Sequence, residues 1–527
     1  MLLGAALDGT GSLRSVDGNA VARAAARLTD ALPGPNEAAR IARAVGASTF
    51  VLGEVASASG RVQRAASVYD ATTSRALARG TAAGPLDSLF AVTDRLAAEL
   101  AANLADARGT SLVQVAKRTT SSLPAFKRFL DGETAFHEAC TVAAQEAFRD
   151  ALDLDSTFAL ASLRLANAYE WSSDNVNVVR ALDVGARHAD RLPPRECELT
   201  ALNRARVGTH IDPTVNIEAM ARAATERRPD DAPFLLELSD VLFHGNPPRG
   251  RSLMEARVPL RRAAQLDLDV SWEPLFHLIQ LAALANEADQ LDSLANRLPS
   301  APTGYLMLTT RAQQAATRGD QRLLDSVIVA LRERPTREAS LASEFALAVS
   351  LIRGDPAMAR STVAPLTRDG VPAATRGAAW MRVGMLEAAP GHWDRVSPAF
   401  DQAAQLGTPD AQLLRARLLT LPMANVAAAV RDSARAVLLQ RAVSNPTVVA
   451  WIRAADLTRS GKSREALLLT DTLAKSLVLL EEQWFLRAEL LWNAGRHDEA
   501  MAWYTAASEG PFGLVFFDVV RARRRAR

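Results

Sequence analysis

The sequence predicts a mainly α-helical protein, in which a small α/β unit is followed by an α-solenoid of about eleven helix pairs. Three observations support this prediction. The chain of 527 residues is rich in Ala, Leu, Arg and Glu, which favour helix, and only 5% of its residues are aromatic. Stretches of β-branched residues are rare outside one early segment. Residue types also recur at the spacing of a roughly 34-residue helix–turn–helix repeat.

The repeat pattern is clearest in three triplets, each with a small or apolar residue, an aromatic residue four positions later, and Ala three positions after that. The triplets are Ala144, Phe148, Ala151; Val396, Phe400, Ala403; and Ala500, Tyr504, Ala507. At one fixed distance before each triplet stands a larger residue, namely Arg128, Trp380 or Trp484. Four positions after that residue stands a small one, namely Gly132, Gly384 or Ala488. We expect the small residues to let the two helices of a pair approach closely. The aromatic residues are expected to fill the space between consecutive pairs.

The first part of the chain, residues 1–105, predicts an α/β unit with an antiparallel meander. Asn36 is expected to cap the second helix, and the strand at 48–55 is expected to be buried. The predicted helices lie at 20–32, 36–45 and 86–104, and the predicted strands at 48–55, 61–69 and 75–81, with a short strand candidate at 13–17.

This segment resembles the TolB-like (FlgO-like) N-terminal domain of bacterial signalling proteins. The similarity rests on the helix that ends at residues 43–47, the strand at 50–55, and the pair Asp70 and Thr73 before the last strand. The family domain opens with a strand and a loop, whereas this chain starts inside the first helix. The strand that opens the family domain is therefore expected to be missing from this chain. In that family the domain often follows a kinase, cyclase or DNA-binding domain and precedes tetratricopeptide repeats.

Residues 106–124 are predicted to form a polar linker closed by Pro124, and residues 125–527 a repeat array that resembles tetratricopeptide repeats. Glycines expected in turns set the register, and Gly461 and Gly495 lie 34 residues apart. The other such glycines are Gly319, Gly354 and Gly391. The units are expected to begin near Ala125, Ala159, Glu198, Ala232, Trp272, Tyr305, Ser340, Gly377, Ala411, Val448 and Glu481. An insertion is predicted at residues 245–250.

No motif in the sequence predicts catalysis, so we expect a protein that is not an enzyme. The segment from Ser460 to Ser463, Ser-Gly-Lys-Ser, resembles the end of a phosphate-binding loop, but Asp456 stands where a further Gly is needed, which favours an inter-helix turn. Two cysteines exclude a disulfide framework, and the seven histidines are scattered. Neither a metal site nor a cofactor is predicted.

The charge balance gives no reason to expect nucleic acid as a partner, because 61 basic residues face 59 acidic ones. No apolar run approaches the length of a membrane span, so none is predicted. The densest basic cluster is C-terminal and is interpreted as the solvated, frayed end of the last helix, with contact to nucleic acid or acidic lipid as the alternative. It consists of Arg521, Arg523, Arg524, Arg525 and Arg527.

The inner face of the array is the better candidate for binding. The repeat register places Arg164, Asn167, Asn203 and Arg206 on adjacent first helices, facing inward. Side chains of this kind can hold a peptide backbone or a terminal carboxylate. An ordinary polar inner face is the alternative.

The predicted function is that of a non-catalytic scaffold, which binds a protein or peptide, or a partner's helix, and no small-molecule substrate. The resemblance implies the sensory or regulatory part of a bacterial signalling system and a cytoplasmic location. Two alternatives stay open: the detached C-terminal half of a serine/threonine kinase or DNA-binding regulator, and an envelope-associated, periplasmic TolB-like protein.

Overall fold

The computed structural model confirms a mainly helical protein with a small antiparallel sheet near the N-terminus. It describes residues 3, 16, 18–28, 33–58, 60–85, 88–103, 120, 122–172, 175–208, 216–266, 272–298, 305–334, 336–441, 446–476, 481–509 and 513–526. These residues form 26 α-helices and three strands. Within these ranges, none of the helices combines the length and the apolar character that crossing a bilayer requires.

The N-terminal unit consists of three helices and a three-stranded meander. Its elements are α1 (Gly18–Leu28), α2 (Pro35–Ala44), β1 (Thr49–Ala58), β2 (Arg61–Asp70), β3 (Ala76–Pro85) and α3 (Leu89–Asn103). The strands pair antiparallel in the order β1-β2-β3. Helix α3 covers one face of the sheet, where Val92, Leu96 and Leu100 pack with Val62 and Val68.

Two details of this unit differ from the prediction. The N-cap of α2 is Gly34, not Asn36, and its backbone N–H donates to Glu37 Oε2 at 2.8 Å. Strand β1 lies at an edge of the described sheet, and its residues from Gly53 onward are exposed. A run of apolar residues cannot distinguish a central strand from an edge strand, since both need only one covered face.

The helices that follow form eleven consecutive pairs. Each predicted unit start lies within four residues of the position at which the first helix of a pair begins. The first six pairs are α4 (Leu123–His137) with α5 (Thr141–Leu154), α6 (Ala159–Trp171) with α7 (Asn175–Arg187), α8 (Pro194–Gly208) with α9 (Ile217–Arg227), α10 (Ala232–Gly245) with α11 (Arg257–Leu266), α12 (Trp272–Leu284) with α13 (Ala288–Ala295), and α14 (Tyr305–Arg318) with α15 (Gln321–Leu331). The other five are α16 (Thr336–Ile352) with α17 (Pro356–Val363), α18 (Ala373–Ala388) with α19 (Trp393–Gln405), α20 (Ala411–Leu419) with α21 (Ala428–Arg441), α22 (Pro446–Arg459) with α23 (Ser463–Ser476), and α24 (Glu481–Asn493) with α25 (His497–Glu509). Helix α26 (Gly513–Ala526) ends the chain.

The turn between the two helices of a pair often contains a residue with a left-handed backbone. Gly319, Gly354, Gly391, Gly461 and Gly495 all have φ between 72° and 86° at these turns. Glycine takes this conformation without steric cost, so it ends the first helix and lets the chain reverse. The Ser-Gly-Lys-Ser segment is therefore the turn between α22 and α23.

The rings of Phe148 and Phe400 pack against the glycine of their own pair. A Cβ added to Gly132 would lie 2.5 Å from the ring of Phe148, and one added to Gly384 would lie 2.5 Å from the ring of Phe400. The absent side chain is thus what makes room for the ring. The other repeat-packing residues are buried, apart from Trp380, which is half-buried: Ala144, Ala151, Val396, Ala403, Trp484, Ala488, Ala500, Tyr504 and Ala507.

The C-terminal end of the array contacts earlier pairs. Trp503 on α25 packs against Gly250, in the predicted insertion between α10 and α11. Arg523 on α26 donates to Glu489 at 3.1 Å and stacks over the ring of Trp492. The last helix is therefore docked at Arg523, not frayed as predicted, while Arg524 and Arg525 are exposed.

Candidate functional site

The first five helix pairs line a cavity of about 170 Å³. It is lined mainly by the first helix of each pair, so five consecutive pairs contribute to one site. The lining combines charged, aromatic and aliphatic side chains, and most of it comes from Phe129, Glu133, Phe136, His137, Leu160, Leu163, Arg164, Asn167, Arg195, Glu196, Leu199, Leu236, Glu237, Trp272 and Glu273.

A contact between the first and fifth pairs closes one side of this cavity. The indole Nε1 of Trp272 donates to the carbonyl oxygen of Phe136 at 2.7 Å, and the centroids of the two rings lie 5.9 Å apart. Trp171 packs edge-on against Trp272, and its own Nε1 donates to Glu273 Oε1 at 2.6 Å. Helices α4 and α12 thus meet, although 136 residues separate the bonded groups.

The structure joins Asn167, Asn203 and Arg206 in one network through Glu237, whereas Arg164 pairs with Glu133, so both predicted groove arginines are already paired. Arg164 Nε donates to Glu133 Oε1 at 2.5 Å. Arg206 donates to Glu237 at 2.9 Å and to Glu170 at 2.9 Å. A carboxylate from a ligand would therefore compete with glutamates that the chain itself supplies.

The two asparagines form a ladder across successive first helices. Asn203 Nδ2 lies 3.2 Å from both Asn167 Oδ1 and Glu237 Oε1. Asn203 is only 1% exposed, whereas Asn167 lines the cavity. Asn203 therefore holds neighbouring helices in register, and a ligand in the cavity meets Asn167 and Arg164 first.

The cavity carries more acidic than basic groups. Its lining includes four glutamates and two arginines. Arg195 forms paired hydrogen bonds of 2.7 Å to Asp231, and one of 2.7 Å to Glu196. The second carboxylate oxygen of Glu196 is buried and has no hydrogen-bond partner among the described residues. An acceptor in this position can take a donor from a bound molecule.

Burial perturbs the acid–base properties of the network. The pKa of Glu237 is raised to about 7, chiefly by loss of water; Arg206 opposes the rise, and the carboxylates of Glu170 and Asp240 add to it. Burial acts against the charge of Arg206 itself. Even so, Glu237, Glu170 and Asp240 hold its pKa well above the usual range. Three carboxylates thus surround one guanidinium.

Sequence reasoning missed a second cluster, next to this network. Asp240 and His244 lie on α10 and His277 on α12, and their potential metal-binding atoms all lie within 4.8 Å of one another. His277 follows His244 by 33 residues, close to one repeat, and Asp240 precedes His244 by four. Reading histidines at the repeat period, rather than at the short spacings of metal motifs, would have revealed the cluster.

A comparison with models of known protein families gives no match, and a comparison with curated proteins gives none either.

Proposed function

We propose that this protein is a non-catalytic interaction scaffold, built as a solenoid of tetratricopeptide-like helix pairs, that binds a peptide or a partner's helix along its inner face. The observation that supports the proposal most directly is the shared cavity, to which the first helices of five consecutive pairs contribute lining residues. Stacked helix pairs characteristically present such an extended surface to a partner.

The chemistry of the lining favours a ligand segment with a cationic side chain over one with a free carboxylate. Arg164 and Arg206 are occupied by glutamates, and Glu196 offers an unpartnered oxygen. Phe129, Phe136 and Trp272 supply aromatic surface for the apolar stem of a Lys or Arg. The volume of about 170 Å³ suits a single anchoring side chain rather than a drug-sized molecule, since pockets for the latter measure roughly 300–1,000 Å³.

The biological setting that we propose is the sensory or regulatory part of a bacterial signalling system in the cytoplasm. It rests on the resemblance of residues 1–105 to the TolB-like domain and of residues 125–527 to tetratricopeptide repeats. A domain at the front of the chain would then be the input or the anchor, and the helix pairs would engage the partner.

The proposal can be tested with labelled helical peptides that differ only in one anchor residue: Arg, Gln or Glu. We expect the Arg peptide to bind most tightly to the full chain by fluorescence anisotropy, with an affinity that falls as salt rises. Replacing Glu196 with Gln should lower the affinity for the Arg peptide by roughly tenfold, because a charge-assisted hydrogen bond contributes about 1.5–3 kcal/mol.

Glu226→Gln is the matched control. Glu226 is exposed on α9, the second helix of its pair, and does not line the cavity. This variant should bind like the unmodified chain. Preference for the Glu peptide, or equal losses in the two variants, would show that the cavity is not the anchor site.

A further inference from the structure

The cluster of Asp240, His244 and His277 has the composition and the placement of a metal site. Asp240 and His244 are four residues apart on α10, so they share a helix face, and His277 projects from the neighbouring first helix α12. Asp240 Oδ1 and His277 Nε2 lie 3.7 Å apart. Two ligands of a tetrahedral zinc ion are separated by about 3.3 Å, given bond lengths of about 2.0–2.1 Å. Small side-chain rotations would bring the three potential ligand atoms to the separations that a zinc ion requires.

The hydrogen bond of His277 fixes which ring nitrogen faces Asp240 as an acceptor. His277 Nδ1 lies 3.0 Å from the carbonyl oxygen of Glu273, which can only accept, so Nδ1 carries the proton. The neutral ring then presents the lone pair of Nε2 to a carboxylate oxygen. That oxygen, Asp240 Oδ1, is buried and has no hydrogen-bond partner in the described part of the chain. With the ring neutral, the two acceptors face each other and can share a metal cation.

The surroundings hold His277 in place and leave the site open on one side. The rings of Phe243 and Trp171 pack against His277, with centroids 4.9 Å and 5.6 Å away. A backbone carbonyl that accepts from the other ring nitrogen is a usual means of orienting a metal-bound imidazole, and the packed rings restrict rotation of the side chain. His277 is buried, whereas His244 is exposed, so an ion could enter from the side of His244.

The local charge also favours a cation. Asp240, Glu237 and Glu170 all act on Arg206, the one guanidinium among them, and burial of Arg206 and Glu237 limits screening by water. A divalent ion bound by Asp240 would offset the acidic excess.

We propose that Asp240, His244 and His277 bind a divalent transition-metal ion, with Zn²⁺ as the ion of choice. Two imidazoles and one carboxylate suit zinc and its neighbours, whereas Mg²⁺ and Ca²⁺ favour sets made of oxygen ligands alone. Three protein ligands leave a fourth position for water or for a donor from a bound partner.

The experiment uses the full chain after treatment with a chelator and dialysis. Titration with ZnCl₂ in a calorimeter should give one equivalent of tight binding. Titration with CoCl₂ should give the intense visible absorption of a four-coordinate site. Loss of an outer-shell partner alone weakens metal affinity by about 10–100-fold, so His244→Gln should weaken it by at least tenfold. Asp240→Asn and His277→Gln should do the same.

His244→Gln is the decisive variant, because His244 is exposed and its replacement should not disturb the fold, which far-ultraviolet circular dichroism can verify. His392→Gln is the matched control, since His392 Nδ1 faces Glu387 at 3.0 Å in an imidazole–carboxylate pair outside the cluster, which Arg395 shares. The His392→Gln variant should bind one equivalent of metal with unchanged affinity. Absence of stoichiometric binding, or unchanged affinity in His244→Gln, would overturn the proposal and leave Asp240 and His277 as an ordinary ion pair.

Discussion

The indole of Trp272 donates a 2.7 Å hydrogen bond to the backbone carbonyl of Phe136 and so joins the first helix of pair one to the first helix of pair five. Both helices line the cavity, so this bond holds together two of its sides although 136 residues separate the bonded groups.

Removing this bond should loosen helix α4. In Trp272→Phe the ring is largely kept and the hydrogen bond is lost, which should cost about 1 kcal/mol, whereas Trp272→Ala should cost about 3–5 kcal/mol. Urea unfolding measures both changes, and hydrogen exchange should show faster exchange of the amides in α4. Trp380→Phe, at a half-buried position within its own pair, is the control. Equal exchange in the two Phe variants would contradict the closing role of Trp272.

Replacing a helix glycine with alanine should lower the stability of the protein at two positions and raise it at a third. Gly132→Ala and Gly384→Ala force a methyl group to 2.5 Å from Phe148 and Phe400, and overpacking of this kind costs about 1–3 kcal/mol. Gly185→Ala, in helix α7, should instead stabilise the protein by about 0.5–1 kcal/mol, because the nearest atom to the new methyl is 3.7 Å away. Thermal or urea unfolding of the three variants decides the matter, and a shared sign would refute the packing argument.

Arg206 should be far more important to stability than an exposed arginine. Arg206→Ala leaves Glu170 and Glu237 without their cation inside the network, and breaking a buried pair costs about 3–5 kcal/mol. Arg128 pairs with Asp131 and Asp150 at the surface, where water screens the charges, so Arg128→Ala should change stability much less. Similar urea midpoints for the two variants would show that the Arg206 network adds nothing beyond a surface pair.

The stability of the protein should depend on pH through Glu237. Its pKa in the fold, about 7, lies above the ordinary 4.5, so the fold favours the protonated form. That contribution is fully present below about pH 4.5 and is lost as pH rises through 7, with a slope of at most about 1.4 kcal/mol per pH unit. In Glu237→Gln, the contribution of this residue to stability should no longer decrease as pH rises.

The measurement is the free energy of unfolding from pH 4.5 to pH 8, with a chelator present so that no metal binds nearby. Arg206, Glu170 and Asp240 face Glu237 and are left unchanged. The exposed Glu226→Gln serves as the control and should follow the unmodified chain. If Glu237→Gln also follows it, Glu237 does not titrate in this range.

The positions of the helix pairs could be predicted because a repeat is a local signal. Each pair is built from residues within one unit, so glycine turns and apolar spacing place its helices without knowledge of distant contacts. Errors arose where burial or the partner of a side chain was at issue. Strand β1 is an edge strand that is exposed from Gly53 onward, because spacing alone does not show which neighbour covers a residue.

By itself, the sequence determined that the chain is mainly helical and where its helices turn, and it predicted that Arg164, Asn167, Asn203 and Arg206 face one way on adjacent first helices. Only the tertiary structure decided that these arginines are neutralised by Glu133, Glu170 and Glu237, and that Trp272 reaches Phe136. It also brought His277 to Asp240 and His244. These contacts depend on how helices from different pairs pack against one another. No local pattern encodes that packing, whereas each helix and turn is set by residues close to it in the sequence.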